Sequence, residues 1–226
     1  MKNIFIVAVI FIGIFTTHHQ LVAQEKLNEG KVIYEISYPD MEMDPQMAAM
    51  MPTESVVYFK GNLSRTETSM GMGISSATIV NSKTNEMTAL TDMMGTKTAT
   101  IVDMDDQKKD KSDVKEEDLK IAHSNETKEI AGYACKKAIL TNADGTTIEM
   151  FYTENITSSS QFNTQWKSLK GFPLEYTLAV GGMNMKMTAK SVTKEKISDE
   201  LFKIPSDYKL MTQEEFQKML GGEEKE

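Results

Sequence analysis

The chain has 226 residues, of which 40% are apolar and 26% charged, and its formal net charge is -8. This apolar content argues against a disordered chain, and 13 Gly, 5 Pro and one Cys exclude collagen-like and disulfide-scaffold proteins. The excess of acids makes nucleic-acid binding a poor fit, because few cations remain to replace phosphate counterions.

The N-terminal region has the layout of a secretory signal peptide. Lys2 is followed by an apolar run at residues 4–15, which suits a signal-peptide core and is shorter than the roughly 20 residues that span a membrane. Leu21-Val22-Ala23-Gln24 then offers a cleavage site, and no Cys lies near it, which excludes a lipoprotein. We expect a cleaved signal peptide over 1–24 and a periplasmic or secreted protein without stable membrane insertion. The alternative is an uncleaved anchor.

Alternation with period two predicts β-strands in the first half of the mature chain. The first strand has one apolar face, formed by Val32, Tyr34, Ile36 and Tyr38. Strands at 55–60 and 63–68 flank Gly61-Asn62, a two-residue hairpin signal. Further strands are expected at about 74–80, 86–92 and 97–102. The sequence Ala-Thr-Ile-Val at 77–80 recurs at 99–102, which fits either tandem hairpins or chance.

A charged connection at about 103–120 separates this half from a second set of strands. The second set comprises strands at 133–141, 146–152, 174–180 and 183–192, with an amphipathic helix at 158–169. Gly181-Gly182 joins the last two strands as a two-residue turn, which places Val180 opposite Met183, Leu178 opposite Met185 and Tyr176 opposite Met187. Thr212 and Glu215 form a capping box for a C-terminal helix.

One early segment departs from the strand pattern. Asp44 and Pro45 suit the N-cap and first turn of a helix, and Met47, Met50 and Met51 then share one face. This short helix is a candidate lid. The chain as a whole is expected to be mainly β (α+β), with one domain over 25–226. That domain would be a curved antiparallel sheet or incomplete barrel with a few helices packed on or capping the concave face.

The residues available for catalysis are few. His123 is the one histidine outside the signal region, and no nucleophile elbow, zinc-protease motif, Walker loop or dinucleotide fingerprint occurs. Sites of the His/Cys kind for zinc or iron lack ligands. We therefore expect no enzyme activity, no catalytic residues, no cofactor and no metal site of this kind. Cys135, the lone cysteine, is interpreted as a small buried hydrophobe rather than a reactive thiol.

Arg65 is the single arginine among 25 basic residues. Its planar fork suits carboxylates and phosphates. The structural interpretation is an ion pair with Glu35 or Glu67, and the functional one is a headgroup contact at the mouth of a cavity. We favour the ion pair.

Methionine is the strongest compositional feature, with 18 residues. These cluster near positions 41–51, 70–72, 93–94 and 183–187. Thioethers could bind Cu(I) or Ag(I). Flexible, polarizable side chains could instead line a surface that adapts to apolar ligands, or simply fill a core. We favour the apolar ligand, and its predicted site comprises Arg65, Met47, Met50, Met51, Tyr176, Leu178, Met183, Met185 and Met187.

Several stretches resemble exported Gram-negative families of unknown function. They are the segments 129–138, 151–156 and 171–175, together with Lys60-Gly61-Asn62, Arg65 and the closing segment 201–208. One such family is named for a G-L-P-G-L-I (GLPGLI) motif, and a related one is Met-rich with a K-G-N…R hairpin. Phe172 and Glu175 depart from the first pattern, so the Met-rich family is the closer relative. The resemblance implies a fold like the periplasmic lipoprotein carriers (LolA/LolB-like), with a hydrophobic cavity and a helical lid.

These observations favour an exported envelope protein that binds an apolar or lipid-like ligand in a Met-lined cavity. The first alternative is a Met-based Cu(I)/Ag(I)-binding protein. The second is a non-catalytic accessory protein that docks onto an envelope protein.

Overall fold

The computed structural model describes residues 26–103, 120–142, 145–157, 169–180 and 182–219. The predicted signal peptide, most of the charged connection and all but the last residue of the helix expected at 158–169 lie outside these ranges. No helix within them has the length and apolar character needed to cross a membrane.

Strands dominate the described chain. They are β1 (Glu29–Ser37), β2 (Glu54–Lys60), β3 (Leu63–Met70), β4 (Ile74–Asn81), β5 (Glu86–Met93), β6 (Thr96–Asp103), β7 (Lys120–Ile130), β8 (Tyr133–Thr141), β9 (Thr147–Thr153), β10 (Phe172–Val180), β11 (Met183–Thr193) and β12 (Lys209–Met211). Helix α1 (Pro45–Met50) follows β1, a 3-10 turn occupies Asp199–Phe202, and helix α2 (Gln213–Met219) follows β12. The strands expected from the alternation are confirmed, whereas β7 and β12 had no sequence signal.

All twelve strands form one open sheet in the order β12-β6-β5-β4-β3-β2-β1-β11-β10-β9-β8-β7. The predicted curved antiparallel sheet is confirmed, with one parallel pair, β12 on β6, at an edge. The pairing of β1 with β11 joins the two halves of the chain and places Ile36 opposite Met187. The repeated Ala-Thr-Ile-Val segments lie on β4 and β6, where Ala77 and Ala99 flank Leu90 from either side.

The sheet curls toward one face. The ring of Phe59 on β2 lies 5.4 Å from that of Phe172 on β10, although β1 and β11 separate these strands. A flat sheet would hold the two backbones about 14 Å apart, at three strand spacings. Gly30, opposite Phe59, gives the ring room, since a Cβ there would lie 3.2 Å from Phe59 Cζ. We call the side that carries Phe59 the concave face and the other side the convex face.

The core is split between the two faces. The main cluster is built around Val32, Tyr34, Val57 and Phe59 on the concave side of β1 and β2, and extends to β8–β11. A second cluster consists of Ala77, Ile79, Leu90 and Ala99. It belongs to the convex face of β4–β6, because Val80, not Ile79, lies opposite Ser64, the partner of Phe59. Phe202, Ile204 and Tyr208 of the C-terminal segment pack on it.

The two short helices begin as their sequences predict. Asp44 Oδ1 accepts hydrogen bonds from the backbone N–H groups of Gln46 and Met47, and Pro45 occupies the first helical position. In α2, Glu215 N–H donates to Thr212 Oγ1, and Thr212 N–H donates back to the Glu215 carboxylate. This reciprocal pair is the predicted capping box.

Candidate functional site

The β10–β11 hairpin presents a column of apolar pairs on the concave face. The predicted register is confirmed: Tyr176 pairs with Met187, Leu178 with Met185 and Val180 with Met183. We call Tyr176, Leu178, Met183, Met185 and Met187 the methionine column. Tyr176 and Met187 are buried in the main cluster. Leu178, Met185 and Met183 are only half-buried, so the column emerges from the core as it approaches the turn.

Farther along the same face, β3–β6 carry hydroxyl groups. The cross-strand register from β2 to β6 shows which residues of these strands lie on the concave face. We call the nine Ser and Thr residues the hydroxyl strip: Ser64, Thr66, Thr68, Ser76, Thr78, Thr91, Thr96, Thr98 and Thr100. Each of these four strands places four side chains on the concave face, sixteen in all. The seven that carry no hydroxyl are apolar: Met70, Ile74, Val80, Met87, Ala89, Met93 and Val102.

Within the described residues, three hydroxyls of the strip are buried without a hydrogen-bond partner. Ser64, Thr98 and Thr100 are exposed by 1%, 3% and 6%. No hydrogen bond of their side chains is found within the described chain, whereas Ser55, next to the strip on β2, donates to the Glu67 carbonyl oxygen and accepts from Thr68. Most buried hydroxyls in proteins have a hydrogen-bond partner. The strip therefore holds unused hydrogen-bonding capacity.

None of the positions that the register places on the concave face of β10, β11 and β1–β6 is charged; Lys190, in the β11 bulge, has no register partner. The charged residues of β3, Arg65 and Glu67, lie opposite Ile79 and Ala77 and so belong to the convex face. On β11 and β10, Lys186 and Glu175 also lie on the convex side, where their carboxylate-to-ammonium distance is 3.4 Å. The curled inner surface is thus apolar or hydroxyl-bearing throughout these eight strands.

Methionines gather at one end of the sheet, the end where β1, β3, β5 and β10 finish. The topology brings eleven of the 18 methionines there, namely Met41, Met43, Met47, Met50, Met51, Met70, Met72, Met93, Met94, Met183 and Met185. We call this the methionine end. Its loops touch: Gly71 N–H donates to the Met50 carbonyl at 3.3 Å, and Met94 N–H donates to the Gly73 carbonyl at 3.2 Å. Asn184 Nδ2 donates to Asp40 Oδ2 at 2.7 Å, which ties the loop after β1 to β11.

Several of these methionines are exposed. Met47 and Met50 of α1 are exposed by 41% and 53%, and α1 buries none of its residues. Met51, just after the helix, packs on the main cluster instead. Met72 and Met94 occupy turn tips with φ of 64° and 55°, a region that Gly and Asn adopt far more readily. Both turns therefore hold a methionine in a backbone conformation that costs free energy.

Arg65 is not brought together with the methionines. Its Nε donates to Glu67 Oε1 at 2.6 Å, and Nη1 donates to the Leu201 carbonyl at 3.1 Å. The predicted ion pair with Glu67 is confirmed, and the side chain is only 11% exposed. Arg65 therefore fastens the 3-10 turn to the convex face, opposite the predicted ligand site.

Two buried polar groups lie among β8–β11. Cys135 is fully buried, as predicted. Burial and the charge of Glu175 raise the pKa of its thiol to about 11. Glu175 was not singled out by the sequence. Burial alone would raise the pKa of its carboxyl, but hydrogen bonds and charges from Lys128 and Lys186 outweigh burial and lower it.

A surface cavity of about 420 Å³ lies elsewhere. It is lined by Lys26, Glu154, Ile156, Thr157, Leu169, Lys170 and Gly171, near the opposite end of the sheet. Its two lysines and one glutamate make it more polar than the methionine column. None of its lining residues belongs to the predicted site.

Fold and inner surface together define an open, barrel-like β protein. The sequence matches the family described as Domain of unknown function (DUF4412) over residues 40–208. The chain therefore belongs to the DUF4412 family. No curated protein matches it. The expected relation to the GLPGLI family and to the LolA/LolB-like carriers is not shown by these comparisons and stays a prediction.

Among solved structures, two crystal forms of PNGF-II share the fold. In the C2 form the TM-score is 0.55 at 16% identity over 85% of this chain, and in the P21 form it is 0.52 at 18% over 86%. The chain spans only 32% and 33% of those longer chains. A beta-barrel-like DUF1849 protein from Brucella abortus has a TM-score of 0.36 at 7% identity, covering 76% of this chain and 100% of its own. That likeness is too small to carry an argument.

Proposed function

We propose that this protein is an exported envelope protein that binds an apolar, lipid-like ligand on the concave face, at the methionine end. One observation carries the proposal: Leu178 and Met185 stand half-buried on a curled, charge-free surface, directly continuous with the buried pair Tyr176 and Met187. An apolar ligand laid on these side chains would extend the core and remove their remaining surface from water.

Methionine suits this role better than a stiffer side chain. Its unbranched chain and polarizable sulfur let a surface repack around ligands of different shape. Met47 and Met50 on the exposed α1 would contact a ligand that emerges from the column, as expected of a lid. The role proposed is binding rather than catalysis.

A fluorescence titration with the neutral apolar probe N-phenyl-1-naphthylamine tests the site. Leu178→Glu places a charge on the column and should weaken probe binding at least tenfold, since a desolvated carboxylate without a partner is costly. Ala179→Glu is the matched control, because the neighbouring residue is exposed and points to the other face. Equal loss in both variants, or no probe binding by the parent, would contradict the proposal.

A Cu(I)/Ag(I)-binding protein is the second candidate, and the gathering of methionines at one end favours it. Such a site would rely on thioether sulfur, which is a soft ligand. Replacing Met183, Met185 and Met187 by Leu conserves volume at about 1.5 kcal/mol or less per site. We expect this triple variant to retain probe binding and to compete for Cu(I) no worse than the parent. Parent protein that strips copper from a chelator while the variant cannot would favour the metal binder.

Two further measurements test the proposed export and the alternative of a protein that docks onto an envelope partner. Export predicts a mature N-terminus at Gln24 or Glu25 in the soluble envelope fraction, which N-terminal sequencing checks. An accessory protein that docks onto an envelope protein would use the exposed methionines without retaining an acyl chain. Native mass spectrometry of protein purified from the envelope separates the cases, since a ligand binder should carry bound lipid mass.

A further inference from the structure

Resting on the proposed function, we infer that the ligand is an uncharged amphiphile. Its apolar chain would lie against the methionine column, and its polar group, bearing hydroxyl or ester oxygens, would lie over the hydroxyl strip. The column on β10–β11 and the strip on β3–β6 share one curled face, separated by β1 and β2.

Charge complementarity selects against ionic headgroups. A carboxylate, phosphate or ammonium group that leaves water needs an opposite charge to offset its desolvation. The concave face of these eight strands offers none, as the register shows. Arg65, the single arginine, lies on the convex face, where its guanidinium already donates hydrogen bonds to Glu67 and the Leu201 carbonyl.

The hydroxyl strip supplies what a neutral polar group needs. Each Ser or Thr hydroxyl both donates and accepts, so it pairs equally with an alcohol or an ester carbonyl. Ser64, Thr98 and Thr100 are buried without a hydrogen-bond partner in the described chain. Because these three are covered by the protein, a ligand oxygen would pair with half-buried members of the strip, Thr66 and Thr78, instead.

The middle of the strip is open enough for contact. Thr66 on β3 pairs directly with Thr78 on β4, and both are half-buried. Three strand spacings, about 14 Å along the sheet, separate β3 from β11. A single acyl chain can bridge that distance, so one molecule can reach both surfaces.

Displacement of N-phenyl-1-naphthylamine from the purified protein tests the inference. The competitors share one twelve-carbon chain: 1-dodecanoylglycerol is neutral, dodecanoate is anionic and dodecylamine is cationic at pH 7.5. We expect the glyceride to displace the probe at a concentration at least tenfold lower than either ion. An ion that competes as well as the glyceride would overturn the inference while leaving the proposed function intact. Failure of the protein to bind the probe at all would overturn both.

Substitutions on the strip separate hydroxyl chemistry from shape. The double variant Thr66→Val/Thr78→Val keeps the volume but removes two hydroxyls, and should weaken glyceride competition 3- to 10-fold with unchanged probe affinity. Thr88→Val is the matched control, since Thr88 is a buried threonine on the convex face. Thr78→Lys should shift the preference toward dodecanoate. An unaltered glyceride affinity in the double variant, or an equal loss in Thr88→Val, would contradict the role of the strip.

Discussion

The two halves of the sheet bury their apolar clusters on opposite faces. Around β1, β2, β10 and β11 the large apolar side chains point to the concave side and form the main cluster. In β4–β6 a separate buried cluster, Ala77, Ile79, Leu90 and Ala99, lies on the convex side, where the C-terminal segment packs on it. The concave side of β3–β6 instead carries nine hydroxyl groups interspersed with seven apolar side chains. The inner surface therefore changes from apolar around β10 and β11 to a mixture of hydroxyl-bearing and apolar side chains on β3–β6.

This difference shows why alternation alone does not say which face is inside. A strand with period two has two distinct faces, but the sequence of that strand does not fix which one meets the main core. The hairpin register from Phe59 to Ser64 says which side chains share a face. The long-range contact of Phe59 with Phe172 makes that face the inner one. This arrangement underlies the inference of an amphiphilic ligand.

The largest expected effect lies in the apolar half. Phe59→Ala removes a fully buried ring in contact with Phe172 and should lower the free energy of unfolding by about 3–5 kcal/mol. Thr78→Val, on the same face of the other half, should change it by less than about 1 kcal/mol, because a half-buried hydroxyl is exchanged for a methyl. Urea unfolding of both variants is the measurement. Similar losses would mean that the two halves are packed alike.

A smaller effect is expected where the convex cover is fastened. Arg65→Lys keeps the charge but cannot hold both Glu67 and the Leu201 carbonyl, so stability should fall by about 1–2 kcal/mol. Probe affinity should change only through that loss. Thermal unfolding checks the first expectation, with Glu67→Gln completing a double-mutant cycle. An unchanged melting temperature would reject a structural role for Arg65.

Glu175 should make stability depend on pH. Its folded-state pKa is lowered from the ordinary 4.5, with burial opposing the shift and Lys128 and Lys186 driving it. The stability it contributes is therefore fully present above pH 4.5 and is lost as the pH falls through the lowered folded-state pKa. At pH 7 Glu175→Gln should cost about 1 kcal/mol, because both lysines are partly exposed. Unfolding at a series of pH values should show the parent and variant converging in acid, and a constant gap would count against this account.

The smallest expected effect has the opposite sign. Met94 sits at φ 55° in the β5–β6 turn, where Asn fits better. Met94→Asn should raise the free energy of unfolding by about 0.5–1 kcal/mol. Met72→Asn in the β3–β4 turn, at φ 64°, is the parallel case. If neither variant is more stable by urea unfolding, the turns do not carry the expected strain.

Local signals were enough for most strands, for the Gly61-Asn62 and Gly181-Gly182 hairpins and for both helix starts. These depend on residues close in sequence, whose turn chemistry and caps act directly on the backbone. The predicted pairing of Leu178 with Met185 is correct for that reason. The Glu67 partner of Arg65 also lies two residues away on the same strand face.

Long-range features escaped the sequence. Nothing local marks the pairing of β1 with β11, the lysines that hold Glu175, or the segment that covers Leu90. The hydroxyl strip left two signals, the alternation of Ser64, Thr66 and Thr68 on β3 and of Thr96, Thr98 and Thr100 on β6. Its position on the inner face depends on the strand pairing that leads back to β2 and on the curl of the sheet. The convergence of scattered methionines at one end likewise depends on strand order.

An open sheet has two free edges, and here each edge is poorly suited to recruit another chain. The β12 edge offers only three residues. The β7 edge is exposed along most of its length, interrupts its register between His123 and Thr127, and carries Lys120, Glu126, Lys128 and Glu129. Short, irregular or charged edges discourage strand addition between molecules. The chain can thus leave its sheet unclosed, with the inner surface reachable from solvent, at a reduced risk of edge-to-edge aggregation.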